Sequence, residues 1–208
     1  MLTTLLFLWS RYRVHGRENI PAKGPLLVVA NHLNLADPPI VGLSINRRAV
    51  FMAKEELFRQ RLASFFVRKL GAFPVYRRGL SREALHQAEH WLGKGMALVM
   101  FPEGSRSNNA KLKSAFPGSA MVAARMGVPI LPIGIAGTEE FKGFTWWLRR
   151  PRITVNIGQP FQPPPLNGRL SKEERLELTD SIMGRMAALL PAEYRGKYAD
   201  GEGKQDED

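Results

Sequence analysis

Cysteine is absent from the sequence, which excludes disulfides, thiolate zinc sites and a cysteine nucleophile. Long apolar runs are scarce as well. The opening MLTTLLFLW falls far short of the roughly 20 residues that cross a bilayer. It also lacks the basic start and small-residue cleavage site of a signal peptide. Acids are few: 19 Asp+Glu face 30 Lys+Arg, for a net charge of +11. Five of those acids, with one lysine, stand in residues 200–208, so the rest of the chain carries 29 bases against 14 acids, or +15. Such a field attracts nucleic acid, anionic lipid or phosphorylated small molecules. Zinc-finger spacing, basic-zipper heptads and RNA-recognition signatures are missing, which turns the expectation from nucleic acid to a membrane surface or a phosphate-bearing ligand. A G-x-S-x-G elbow, a P-loop and a dinucleotide fingerprint are missing too.

What is present is a regular alternation. The runs LLVVA (26–30), VFMA (50–53), FPVY (73–76), ALVMF (97–101) and ILPIGI (130–135) read as strands, and helical patterns lie between them near 38–45, 56–69, 81–94 and 117–126. Strands covered on both faces lose their polar alternation and become continuous apolar runs. The expectation is therefore one α/β domain with a mostly parallel central sheet flanked by helices, for which 208 residues suffice. Gly95 and Gly127 fall where helices should stop, and Asp37-Pro38 reads as an N-cap followed by proline at the first helical position. Ser171 with Glu174 makes a capping box for a C-terminal helix reaching about residue 190.

Three segments suggest a membrane surface. Read as a helix, Leu2, Leu5, Leu6, Trp9 and Tyr12 share one face with Arg11 and Arg13 beside it, so residues 1–13 are expected to form a short amphipathic interface helix, a core-packing helix being the alternative. ELFRQRLASFFVRKL (56–70) sets Phe58, Leu62, Phe65 and Phe66 on a stripe with Arg59, Arg61, Arg68 and Lys69 elsewhere. WWLRRPR (146–152) joins tryptophans to basic residues. Residues 199–208 have the composition of a disordered acidic tail.

Few side chains are equipped for chemistry. Of four histidines, His86 and His90 in HQAEH have inverted zinc-protease spacing, but no further ligand motif follows and Leu85, Ala88 and Leu92 define the buried side of that helix. The pair reads as a solvated face, and no metal is expected. His32 differs because it follows a buried strand directly, where α/β sheets hold their ligands. Asp37 is close enough to accept from its Nδ1–H, an arrangement that fixes the tautomer and stabilises the imidazolium after Nε2 takes a proton. A helix cap explains Asp37 equally well at this point. FPEGSRS (101–107) also follows a strand and offers Glu103, Gly104, Ser105 and Arg106. GAFPVYRRG (71–79) offers Arg77 and Arg78. Arginine provides a bidentate fork for phosphate, so the arginine loops could converge with the histidine loop on one anionic acceptor.

NHLNLAD, GAFPVYRR, FPEGSRS and VPILPIGI resemble, in order, the four sequence blocks of the glycerolipid acyltransferase family, with a particular likeness to the bacterial 1-acyl-glycerol-3-phosphate (lysophosphatidic acid) acyltransferases. The resemblance covers residues 22–141. It implies that His32 deprotonates the acceptor hydroxyl, that Asp37 orients it, and that the hydroxyl attacks an acyl thioester without an acyl-enzyme. It further implies that Arg77 and Arg106 bind the acceptor phosphate, that Glu103, Gly104 and Ser105 shape that pocket, and that residues 128–135 line the acyl site. Ser105 stands where threonine is usual, Tyr76 where an acid is frequent, and Phe116-Pro117 where a basic residue is frequent.

The expected protein is thus an O-acyltransferase domain over 14–198, needing no cofactor beyond acyl-ACP or acyl-CoA as co-substrate. It would convert lysophosphatidic acid to phosphatidic acid at the cytoplasmic face of an anionic membrane. Two rivals are an acyltransferase for a lyso-ornithine lipid or glycolipid and a non-catalytic binder of anionic membrane. The second leaves His32, Asp37 and FPEGSRS unexplained.

Overall fold

A computed structural model describes residues 10–59, 61–69, 71–75, 82–143, 146–165 and 170–199. Seven strands form one sheet: β1 (Arg11–His15), β2 (Leu26–Ala30), β3 (Ala49–Lys54), β4 (Ala72–Val75), β5 (Ala97–Met100), β6 (Ile130–Ala136) and β7 (Arg152–Ile157). Their spatial order is β1-β7-β6-β2-β5-β3-β4. All pairs are parallel except β6 with β7, so β1 and β7 run against the other five. Every residue of β2, β5 and β6 is buried, as their unbroken apolar runs require. Burying each Leu or Ile of this kind contributes about 1.5–3 kcal/mol.

The described helices are α1 (Asp37–Ser44), α2 (Glu55–Arg59), α3 (Arg61–Lys69), α4 (Arg82–Gly93), α5 (Gly118–Met126), α6 (Trp146–Arg149) and α7 (Lys172–Ala187). Side chains alternating along β2 feed two cores. Leu26, Val28 and Ala30 meet Ile40 and Val41 of α1, while Leu27 and Val29 share a cluster with α4, α5 and α7. The chain therefore leaves the neighbouring strands β2 and β5 toward opposite faces, through α1 and α5. That divergence opens a crevice at the strand ends, where sheets of this type bind ligands. The expected capping box starts α7: Ser171 Oγ accepts from the Glu174 N–H at 3.1 Å and Glu174 returns the bond to the Ser171 N–H at 2.7 Å. At the opposite end of the sheet, the Arg47 guanidinium donates to the carbonyls of Pro21, Gly24 and Gly95 and ties three loops together.

One expectation is corrected here. Residues 11–13 do not continue an amphipathic helix. They begin β1, with Tyr12 buried and its hydroxyl 2.7 Å from Ser44 Oγ, because strand pairing to β7 satisfies backbone groups that a helix would have satisfied internally. Residues 1–9 lie outside the described residues. The expected helical stretch 56–69 is met by α2 and α3, with residue 60 outside the described residues, and Phe65 is 55% exposed with Lys69 Nζ 4.7 Å from its ring centroid. The acidic stretch 200–208 also lies outside the described residues, whereas Tyr198 is buried against Leu112 and the end of α7.

The turn after β6 tolerates no side chain. Gly137 has φ +91, and a Cβ there would lie 1.8 Å from the Arg152 carbonyl oxygen. Gly137→Ala should lower stability by more than about 3 kcal/mol, because backbone strain and a main-chain clash add. Urea midpoints measure the loss; an unchanged midpoint would show that the turn can open without disturbing β7.

Candidate active site

The β2 strand ends in Asn31, whose side chain imitates a further strand residue. Its Oδ1 accepts from the Ile135 N–H at 2.7 Å and its Nδ2 donates to the Ile135 carbonyl at 2.8 Å. His32 follows, its side chain 17% exposed, and turns its Nδ1 to Asp37 Oδ2 at 2.8 Å. Asp37 is fully buried. The same Oδ2 accepts from the Leu33 N–H at 2.6 Å and the Asn34 N–H at 2.7 Å, and Oδ1 accepts from Thr138 Oγ1 at 2.6 Å. A carboxylate held by this many donors acts as an acceptor, so His32 carries its proton on Nδ1 and leaves the Nε2 lone pair free. The geometry also decides between the two roles open to Asp37. It makes no capping bond to α1. Pro39 has no N–H to offer, and the Ile40 N–H is already taken by the Ala36 carbonyl. Asp37 orients His32 and folds its loop.

The loop after β5 holds the histidine from the other side. Phe101 stacks on the imidazole with centroids 4.4 Å apart. The His32 N–H donates to Glu103 Oε1 at 2.9 Å, and the His32 carbonyl accepts from the Ser107 N–H at 2.7 Å. Glu103 is buried, and its other oxygen accepts from the Lys113 N–H at 3.1 Å. Gly104 adopts φ +64, and a Cβ would press on the Phe116 ring at 3.0 Å. Arg106 is exposed, with no side-chain partner among the described residues. Ser105 accepts from Lys113 Nζ at 2.6 Å, and that ammonium also donates to the Arg106 carbonyl at 3.0 Å.

The structure thus brings His32, Asp37, Glu103, Gly104, Ser105 and Arg106 to one crevice. Arg77 lies outside the described residues. Residues 130–136 are enclosed in the core; what β6 brings to the site is Thr138, two residues past its end. Thr138 and Lys113 were missed from sequence, and only the place of Thr138 just beyond a buried strand could have flagged it. His86 and His90 are exposed on α4, away from this loop cluster.

A strand-end histidine with a buried aspartate behind it has the geometry by which an imidazole can take a proton at Nε2. Residues 11–136 match the acyltransferase family. The chain is 33% identical over 163 residues to a 1-acyl-sn-glycerol-3-phosphate acyltransferase of Streptococcus pneumoniae, covering 75% of this chain and 59% of that protein. It is 27% identical over 191 residues to the enzyme of that name from Bacillus subtilis, covering 90% and 92%. The crystal structure of the 1-acyl-sn-glycerophosphate (LPA) acyltransferase from Thermotoga maritima superposes with a TM-score of 0.69 at 31% identity, over 90% of this chain and 74% of that one. The chain belongs to the acyltransferase family.

Burial raises the Glu103 carboxyl above its ordinary 4.5, while N–H bonds from His32 and Lys113 and their positive charge pull it back. With a raised carboxyl the protonated form favours the fold, so the contribution is complete below the ordinary value and is lost as pH rises through the raised one. The stability of the wild type relative to Glu103→Gln should therefore fall as pH rises above the ordinary carboxyl value. Urea unfolding at stepped pH checks this; a rising difference would mean that the ionised form is the favoured one.

Proposed function

We propose that the protein transfers a fatty acyl chain from acyl-ACP or acyl-CoA to the free hydroxyl of lysophosphatidic acid, yielding phosphatidic acid for phospholipid synthesis. The His32–Asp37 pair, buried on its aspartate side and open at Nε2, carries the reading. Nε2 takes the hydroxyl proton as the oxygen attacks the thioester carbonyl, and the imidazolium that forms lies against the Asp37 carboxylate. The tetrahedral centre then collapses, the carbon–sulfur bond breaks, and the departing sulfur takes the proton from Nε2. Arg106 binds the acceptor phosphate. Arg77, two residues along the chain from the end of β4, joins it. Glu103 supports this pocket by fixing the His32 backbone rather than by touching phosphate. Leu35 and Phe116, both 63% exposed, offer apolar surface to the acyl chain.

Among the described residues no helix is long and apolar enough to cross a membrane. The enzyme acts as a peripheral or monotopic protein on the anionic cytoplasmic face of the cell membrane.

His32→Ala should lower acyl transfer by roughly 10²–10⁴-fold with an unchanged melting curve. Asp37→Asn should keep the fold, because the amide oxygen can take the place of Oδ2 while its NH₂ faces Thr138 Oγ1. Without the charge that stabilises imidazolium, turnover should drop by more than about tenfold. Acceptor-dependent thioester consumption with purified protein measures both, and near-normal rates in either variant would remove that residue from the mechanism.

Arg106→Ala should lose charge-assisted bonds of about 1.5–3 kcal/mol, cutting efficiency on lysophosphatidic acid by roughly 10- to 150-fold. Lysine should restore only part of it, having charge but no fork. A matched phosphate-free acceptor, such as a lyso-ornithine lipid, should be nearly unaffected. Equal losses on both acceptors would refute the phosphate contact.

A further inference from the structure

The sheet edge formed by β1 and β7 carries a concentration of charge that the catalytic crevice does not use. Parallel register sets Arg11 directly opposite Arg152 and Arg13 opposite Thr154. These four side chains line a concavity of about 270 Å³. Like charges facing each other across strands destabilise a sheet, yet none of the ion pairs among the described residues involves Arg11, Arg13 or Arg152. Three unneutralised guanidinium forks around one hollow, with a threonine hydroxyl beside them, have the chemistry of a phosphate site.

Register also locates the hollow. Ala30 is level with Ile133, and Ile135 with Val155 and Val14, so His32 leaves β2 at the level of Val14 and Val155. Because β1 and β7 run the other way, Arg11 and Arg152 lie three residues further toward the same edge of the sheet. They face away from α1, since Tyr12 and Ile153 fill the α1-side core. Asn156 donates to the Leu189 carbonyl on this reverse face, so the chain after α7 covers one half of it and leaves the arginine half open. Both strands are preceded in the chain by apolar sequence: MLTTLLFLW ahead of Ser10, and WWL, whose Leu148 is 62% exposed, ahead of Arg152.

We propose that this hollow binds the phosphate of an anionic phospholipid headgroup and seats the β1–β7 edge on the membrane beside the catalytic crevice. The proposal rests on the reading above that the enzyme works at an anionic membrane, and it names the residues that make the contact. Replacing Arg11, Arg13 and Arg152 together with glutamine should weaken partitioning onto phosphatidylcholine vesicles containing phosphatidylglycerol by roughly 100-fold, at the usual worth of a basic residue near an anionic surface. Partitioning onto pure phosphatidylcholine should not change. A triple variant with the same loss of charge at the exposed Lys23, Arg82 and Lys172 should lose less than about a third as much in fold terms. Arg11→Glu, set opposite Arg152, should raise the melting temperature by replacing a repulsive cross-strand pair with an attractive one, and lower anionic-vesicle binding at the same time. Acyl transfer to lysophosphatidic acid in neutral detergent micelles should be unaffected in all of these variants. Equal losses in the two triple variants, or a wild-type affinity for anionic vesicles in Arg11→Glu, would overturn the site. A rise in melting temperature with free glycerol 3-phosphate that is as large as that with anionic vesicles, and that the Arg11, Arg13 and Arg152 triple variant loses, would assign the hollow to a soluble phosphate instead and overturn the lipid assignment. A chain without acyl transfer that still binds vesicles through these arginines would overturn the functional reading while supporting the headgroup site.

Discussion

The Asp37 carboxylate is the point on which the crevice is assembled. One oxygen gathers the His32 ring and two successive backbone N–H groups of the loop, and the other takes the Thr138 hydroxyl from beyond β6. Three separate pieces of chain, the end of β2, the start of α1 and the turn after β6, are therefore fixed by one buried charge. Burying a carboxylate is costly unless donors replace its water, and here the donors are the very groups that shape the site. The carboxylate that holds the loop closed also accepts from the imidazole Nδ1–H, so the folding of the loop and the orientation of the histidine meet at one residue.

Glu103 makes the reciprocal connection from β5. Its two oxygens join the backbone of His32 to that of Lys113, spanning the crevice that α1 and α5 open by departing to opposite faces. The histidine is consequently clamped through its ring by Asp37 and Phe101, and through its main chain by Glu103 and Ser107. Arg106 stands outside this clamp, exposed and without a side-chain partner among the described residues. The two carboxylates of the loop cluster are buried and hydrogen-bonded, and the arginine stands at the rim.

The sequence revealed the strands that are covered on both faces, since LLVVA, ALVMF and ILPIGI can only be interior. It hid β1 and β7, which are not. RYRVH and RITVNI alternate polar with apolar, the pattern of a half-covered edge, and a search for unbroken runs passes over both. Tyr12 was therefore placed on a helix face although its neighbours Arg11 and Arg13 already showed the period of two. In the site, His32 and Glu103 were legible because each follows a buried run within three residues. The role of Asp37 was ambiguous until the hydrogen bonds showed that a first turn containing Pro38 and Pro39 gives a cap too little to accept. Thr138 was illegible: its link to Asp37 spans 101 residues of chain, and no local pattern records a tertiary contact of that kind.

The reversal between β6 and β7 has a practical side. Because β1 runs against β2, the chain enters the fold at Ser10 from the rim where His32 opens, whereas the Arg47 clamp closes the far end. Ser10 and the His32 crevice therefore share one rim of the sheet. An N-terminal fusion is one whose length and bulk bear on that rim.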